Sequence, residues 1–235
     1  MYKKMILIVM VAMTALYAYG SDNLDLWYRG RQIARDNWNW VAGKVIQTST
    51  TLQEKDKEVV NVDEVWLTKQ LFEGDLIQAE IVKATSEGKE LSRQDALARW
   101  EMLLTKDYTP QKKGFFYADD DELTISFLGE EERIGDYLCV VYQYDYRPSD
   151  EDEGGQSGKI WLEKETGAPI KKVGEHHKKP RFVTDIQTEE LYRFDNENNH
   201  WYLEQIKSNV NVSALGKKVE NLTVIDYQEY WLYPN

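Results

Sequence analysis

Between Tyr137 and Val173, aromatic and β-branched runs alternate with breaks rich in glycine and proline, and this restricts the fold more than any other stretch. Tyr137-Leu138-Cys139-Val140-Val141-Tyr142-Gln143-Tyr144-Asp145-Tyr146-Arg147 is made of residues that fit a pleated, half-buried surface. Pro148, Gly154 and Gly155 end that run, and Gly158 opens the next, Ile160-Trp161-Leu162. Glu165-Thr166-Gly167-Ala168-Pro169 then supplies turn residues ahead of Ile170 to Val173. The reading is a β-meander, and no catalytic pattern lies in it.

Strand and turn patterns continue on both sides. Upstream, strands are predicted over Val41–Thr51, Val59–Leu67 and Leu76–Ala84. Downstream they are predicted over Leu123–Leu128, Ile170–Glu175, Arg181–Ile186, Glu190–Phe194, Trp201–Ile206 and Asn221–Tyr233. Two stretches read as helices. Asp22 to about Asp36 has Ser21 or Asp22 as a cap and Leu24, Leu26, Trp27 and Ile33 on an apolar stripe; Trp38-Asn39-Trp40 breaks its period. Ser92-Arg93-Gln94-Asp95 resembles a capping box, followed at helical spacing by Ala96, Leu97, Trp100, Leu103 and Leu104, with an end near Lys106.

The first twenty residues read as a secretory leader. Lys3 and Lys4 precede an apolar stretch from Met5 to Leu16, and Ala18-Tyr19-Gly20 is a small-x-small cleavage site. No cysteine follows for lipid attachment, so residues 21–235 are expected as a single soluble domain in the periplasm or outside the cell. The formal charge is -12, and loss of the two leader lysines makes it -14. Such a surface repels nucleic acid, whose binding needs cations to displace counterions, so no nucleic-acid partner is expected. Cys139 is the only cysteine and reads as a small buried residue.

Chemistry-bearing constellations are weak. Adjacent His176 and His177 point to opposite faces of a strand and cannot chelate one ion together. Asp119–Glu122 and Asp150–Glu153 lack the calcium-loop spacing, and Asp195–Asn199 reads as a hairpin turn. Neither a metal, nor a cofactor, nor an enzymatic activity is expected.

Eight tryptophans and fifteen tyrosines in a polar chain are the stronger signal. Bulky rings fill ordinary β cores. An incompletely closed barrel, however, encloses space that suits a ligand. By period two, Leu138, Val140, Tyr142, Tyr144 and Tyr146 share one face of their strand, and Ile225, Tyr227 and Trp231 share one face of the last. Alternation does not say which face is concave.

The run Gly158-Lys159-Ile160-Trp161-Leu162-Glu163-Lys164-Glu165-Thr166-Gly167-Ala168-Pro169-Ile170-Lys171-Lys172 after an aromatic strand resembles the sheet of the LolA-like periplasmic lipoprotein carriers. Tyr192-Arg193-Phe194, Trp201-Tyr202-Leu203 and the strand from Thr223 to Trp231 continue the pattern. The resemblance implies an α+β fold: a curved antiparallel sheet forming an incomplete, half-open β-barrel covered by two or more helices. It implies a non-enzymatic carrier of lipid or lipoprotein acyl chains in outer-membrane lipoprotein sorting, with membrane-bound donor and acceptor proteins as partners. The alternative it implies is an envelope sensor that binds a protein or lipid signal. The expected acyl cleft comprises Leu138, Val140, Tyr142, Tyr144, Trp161, Ile225, Tyr227 and Trp231, with Leu97, Trp100 and Leu104 as the apolar face of a lid.

Overall fold

The computed structural model describes residues 24–53, 58–72, 76–101, 104, 112–149, 154–195, 200–214 and 217–234. The expected leader, the expected caps of the first helix, the expected end of the second, Asp150–Glu153 and the expected turn at 196–199 lie outside these residues.

The described strands are β1 (Trp40–Gln53), β2 (Glu58–Phe72), β3 (Leu76–Ser86), β4 (Lys89–Glu90), β5 (Leu123–Ile134), β6 (Tyr137–Tyr146), β7 (Gln156–Glu163), β8 (Pro169–His176), β9 (Val183–Asp195), β10 (His200–Ala214) and β11 (Lys217–Leu232). They form one eleven-stranded sheet in the order β4-β3-β2-β1-β11-β10-β9-β8-β7-β6-β5. Every neighbouring pair is antiparallel. The runs Arg181–Ile186 and Glu190–Phe194, expected as two strands, belong to the single β9, because Gln187 to Glu189 stay paired to both β8 and β10.

The order explains how the sheet stays open. β5 to β11 form a meander, β11 pairs with β1, and β1 to β4 form a second meander. The two edges, β4 and β5, do not pair with each other. They are the strands that the segment 91–122 connects, and its described parts lie on one face, here the covered face.

Helical cover is limited. Residues 24–36 form a helix, α1, and Arg93–Trp100 form α2. Ser92 caps α2 as its sequence predicts: its Oγ accepts from the Asp95 N–H at 3.2 Å and donates to the Asp95 carboxylate at 2.6 Å. Ala96 and Trp100 bury the inner side of α2 against Val45, Val65, Leu67 and Ala84. α1 lies over the opposite half, where Trp27 joins Val140, Tyr142, Tyr144, Ile160 and Leu162. Gly30 permits this approach, since a Cβ there would lie 2.7 Å from the Gly167 carbonyl.

Candidate functional site

Most neighbouring strands in this sheet stay paired over much of their length, but two pairs part early: β1 and β2 beyond Lys44↔Thr68, and β10 and β11. β10 and β11 are hydrogen-bonded from Ala214↔Lys217 up to Gln205↔Asp226. Past that point β10 continues on β9 as far as His200↔Asp195, and β11 continues on β1 as far as Trp40↔Leu232. The sheet is therefore split between residues 200–204 and 227–232. Two irregularities accompany the split. The β9–β10 register shifts between Leu203 and Gln205, which bends β10 locally. On β11, Glu229 adopts φ 55 opposite Gly43, where a Cβ would lie 2.6 Å from the Glu229 carbonyl.

The turn between α1 and β1 closes the top of the split. Asn37 accepts from the Trp201 N–H at 3.0 Å and donates to the Ile33 carbonyl at 2.9 Å. Asn39 donates to the Tyr233 carbonyl at 3.3 Å, and the Tyr233 N–H returns a 2.8 Å bond to Asn39. At the bottom, Gln205 donates to Asp226 at 2.5 Å. Both asparagines are buried, so each bond satisfies a group that water does not reach. The split is framed on all sides.

Rings occupy the frame. On the bare face Trp40 lies 4.0 Å from His200, and Tyr202 lies 4.4 Å from Tyr230. Burial pushes the Tyr230 hydroxyl well above its ordinary range, so it stays a neutral donor, bonded to the Leu203 carbonyl. On the covered face Trp201 stacks on Tyr192 at 4.7 Å, meets the edge of Phe116 at 5.4 Å, and donates from its indole to the Pro169 carbonyl at 2.7 Å.

A short 3₁₀ turn, Phe115–Tyr117, forms the floor opposite these rings. Arginines of α1 hold it by its carbonyls. Arg35 donates to Phe116 at 2.9 Å, while Arg31 donates to Phe116 at 3.3 Å and also to Ala118. Tyr117 returns a 3.0 Å bond to the Arg35 carbonyl.

Between floor and sheet is a cavity of about 500 Å³, walled chiefly by Phe115, Phe116, Trp201, Leu203, Tyr227 and Tyr230. A second hollow of about 460 Å³ lies on the bare face of the split. Trp40, Tyr202, Tyr227 and Tyr230 line both, as a partition of rings one side chain thick. A third, of about 480 Å³, lies between α2 and β3, lined in part by Leu97 and Leu104.

The residues expected to form an acyl cleft are dispersed. Val140, Tyr142 and Tyr144 do share a face, but they are packed solid beneath α1 and Phe115, with Tyr142 0% and Tyr144 1% exposed. Leu138, at the strand's start, is exposed. Trp161 points away from that group: it pairs with Val141, whereas its neighbours Ile160 and Leu162 pair with Tyr142 and Val140. Ile225 packs beside the α2 cluster, and Trp231 packs against Val41, Ile77 and Tyr233. Tyr227 is the expected wall residue found lining the central cavity. Of the expected lid, Trp100 is buried against the sheet, and Leu97 and Leu104 reach only the hollow beside α2.

Missed were Trp38, Trp40, Phe115, Phe116, Trp201 and Tyr230. Their signals were the interrupted period at Trp38-Asn39-Trp40 and the adjacent rings Phe115-Phe116-Tyr117 beside a glycine.

The chain is similar to LolA-superfamily structures. An outer membrane lipoprotein-sorting protein domain from Vibrio parahaemolyticus is 13% identical, with a TM-score of 0.37, over 87% of this chain and 92% of that one. A LolA superfamily protein from Nitrosomonas europaea is 11% identical, with a TM-score of 0.38, over 91% of this chain and 94% of that one. The Pseudomonas aeruginosa MucA/MucB complex matches at 9% identity and a TM-score of 0.25, over 91% of this chain and 100% of that one. No family model and no curated protein matches the chain. Similarity at this level carries no function with it, so the site's own geometry must.

Proposed function

We propose that this chain is a non-enzymatic binding protein for the acyl chain of a lipid or lipoprotein, acting in the periplasm. The observation that carries this reading is the cavity of about 500 Å³ between the ring-lined split and the Phe115–Tyr117 floor. Its volume lies within the range of small-molecule sites, and its walls are chiefly aromatic and aliphatic. Each buried CH₂ contributes about 0.8 kcal/mol, so covering most of one chain rivals the hold of a membrane on a singly acylated molecule. Membrane-bound donor and acceptor proteins would complete a sorting cycle.

The fixed floor favours a sensor over a fast carrier. Arg31 and Arg35 tie its carbonyls to α1, and those bonds must break wherever release requires the floor to move. An envelope sensor that holds its lipid while contacting a protein is the second reading.

Native mass spectrometry of residues 21–235, purified from a periplasm without detergent and followed by lipid extraction, tests the proposal. Bound acyl species that disappear in Leu203→Asp, with the thermal midpoint unchanged, are the expected result. A clean apo mass together with no uptake of a fluorescent acyl probe would remove the acyl-binding reading. Transfer of the probe to membranes supports a carrier, whereas a stable ternary complex with an envelope protein supports a sensor.

A further inference from the structure

We infer that the hollow on the bare face of the split binds an organic cation, an alkylated ammonium or a guanidinium, held against the rings of Trp40, Tyr202 and Tyr230 and flanked by Glu204 and Glu229. The hollow lies on the other side of the ring partition from the acyl cavity, so this inference stands apart from the acyl-binding reading.

The rings carry the argument first. Trp40 and His200 meet at 4.0 Å, and Tyr202 and Tyr230 at 4.4 Å, and all four line the hollow of about 460 Å³. That volume is of the order that small-molecule sites have. The face of an aromatic ring is electron-rich and attracts a cation within about 6 Å of its centre, Trp most strongly. The chain shows the same preference at Trp66, whose ring has the Lys44 ammonium at 5.0 Å and the Lys83 ammonium at 4.7 Å.

The carboxylates supply the same sign. Glu204, Asp226 and Glu229 line the hollow, with Arg193 opposing them. In a chain of 41 acidic and 29 basic residues that count by itself decides little. Placement decides more. Glu204 is the residue left without a β9 partner where the register shifts between Leu203 and Gln205. Glu229 is the β11 residue at φ 55. Both backbone irregularities beside the split thus fall on exposed glutamates that line it, one on each bank. A bulge re-aims a side chain, and a left-handed glutamate persists only where its surroundings hold it. Asp226 already accepts from Gln205 at 2.5 Å, and the Lys44 ammonium lies 3.8 Å from Glu229, so the two exposed glutamates are not equivalent. Glu204 is close enough to Tyr230 to add, after burial and the neighbouring tyrosines, to the upward shift of that hydroxyl. A neutral ligand of the same shape would meet the rings and gain nothing from the carboxylates. An anion would meet Arg193 and three groups of its own sign.

Titration calorimetry on the chain purified from a periplasm tests this. The probes are choline, its uncharged carbon isostere dimethylbutanol, the Nα-acetyl amides of arginine and lysine, and acetate. Choline should bind at least tenfold tighter than its isostere, and its affinity should fall with added salt. Glu204→Gln, at an exposed site, should weaken choline about fivefold with the thermal midpoint unchanged. Glu229→Gly removes a carboxylate and also frees the left-handed position, so it should weaken choline while the midpoint holds or rises. A purely structural glutamate would not separate the two readouts in that way. Arg193→Gln should tighten choline. Tighter binding of the arginine or lysine amide than of choline assigns the site to a side chain of a partner protein, and the reverse to a small molecule. Equal affinity for choline and its isostere overturns the inference, as does acetate binding that is lost in Arg193→Gln. Binding of none of the cations overturns it also.

Discussion

A single row of residues crosses the covered face from one side of the sheet to the other, and its two ends are built in opposite ways. In register it reads Tyr144, Gly158, Gly174, Thr188, Ser208, Thr223, Ser49, Asp63, Ser86. At the first end one large side chain fills the space. A Cβ on Gly174 would lie 2.1 Å from the Tyr144 hydroxyl oxygen, so Tyr144 lies across that glycine and donates to the Val173 carbonyl at 3.3 Å. At the other end six small polar residues replace it. Ser49 and Thr223 are 3.3 Å apart, and Arg99 of α2 reaches across to Asp63 and to Ser86.

The difference is that between a dry core and a face held by polar bonds. The α1 half even buries an ion pair, Lys172 with Glu190 at 2.7 Å, only 7% and 17% exposed, with the ammonium 4.7 Å from the centre of the Phe115 ring. Such a pair is held by its surroundings, and removing one partner strands the other. The α2 half relies on short side chains that fill less volume, and the split with its cavity opens where the two halves meet. Alternation alone gives both halves the same strand pattern. Side-chain volume decides which is packed solid.

The comparison breaks most readily at the ion pair. Lys172→Met should cost about 3–5 kcal/mol in chemical denaturation, because Glu190 is left buried without its cation. A loss below about 1 kcal/mol would show that the α1 half is wetter than its packing implies. Gly174→Ala should cost about 1–3 kcal/mol, as Tyr144 must be displaced. A neutral outcome would mean that the ring is not held over the glycine.

Titration offers a third test of the dry half. Burial pushes Tyr142 up to about 12 and the Cys139 thiol up to about 11, and raises Tyr144 and Tyr192 also. These folded-state values lie above the unfolded ones, so the stability they contribute is complete below the unfolded pKa and declines as pH rises through the folded value. The urea midpoint should fall between about pH 9 and pH 12, and the tyrosinate absorbance of Tyr142, Tyr144 and Tyr192, read as the difference from their phenylalanine variants, should rise only as the protein unfolds. Tyrosinate formation at these three rings before unfolding would show that water reaches them.

At the junction of the halves, Leu203→Asp should weaken binding of a fluorescent acyl probe at least tenfold, about 1.4 kcal/mol, and unchanged affinity would move the ligand elsewhere. The smallest effect belongs to the polar half. Ser208→Ala should change stability by no more than about 0.5–1 kcal/mol, and a larger loss would show that its row is a tightly coupled network.

The local elements were legible because local rules govern them. The Ser92 cap, the Gly167 turn at φ 85, and the shared face of Val140, Tyr142 and Tyr144 follow from residue type and spacing. The candidate site was not legible. Trp161 fell on the wrong face because a one-residue step along a strand reverses the side chain. The interrupted pairing of β10 and β11, with the register shift at Leu203/Gln205, brings together rings from residues 38 to 230 that no spacing relates.

By itself, then, the sequence determined that this is an antiparallel β chain with a capped helix, a buried cysteine and an excess of rings. Those features depend on each residue's own conformational preference and on its nearest neighbours. Only the tertiary structure decided which rings fill a core and which line a cavity. That depends on which elements lie across from each face, and on where β10 and β11, paired as far as Gln205↔Asp226, stop exchanging hydrogen bonds.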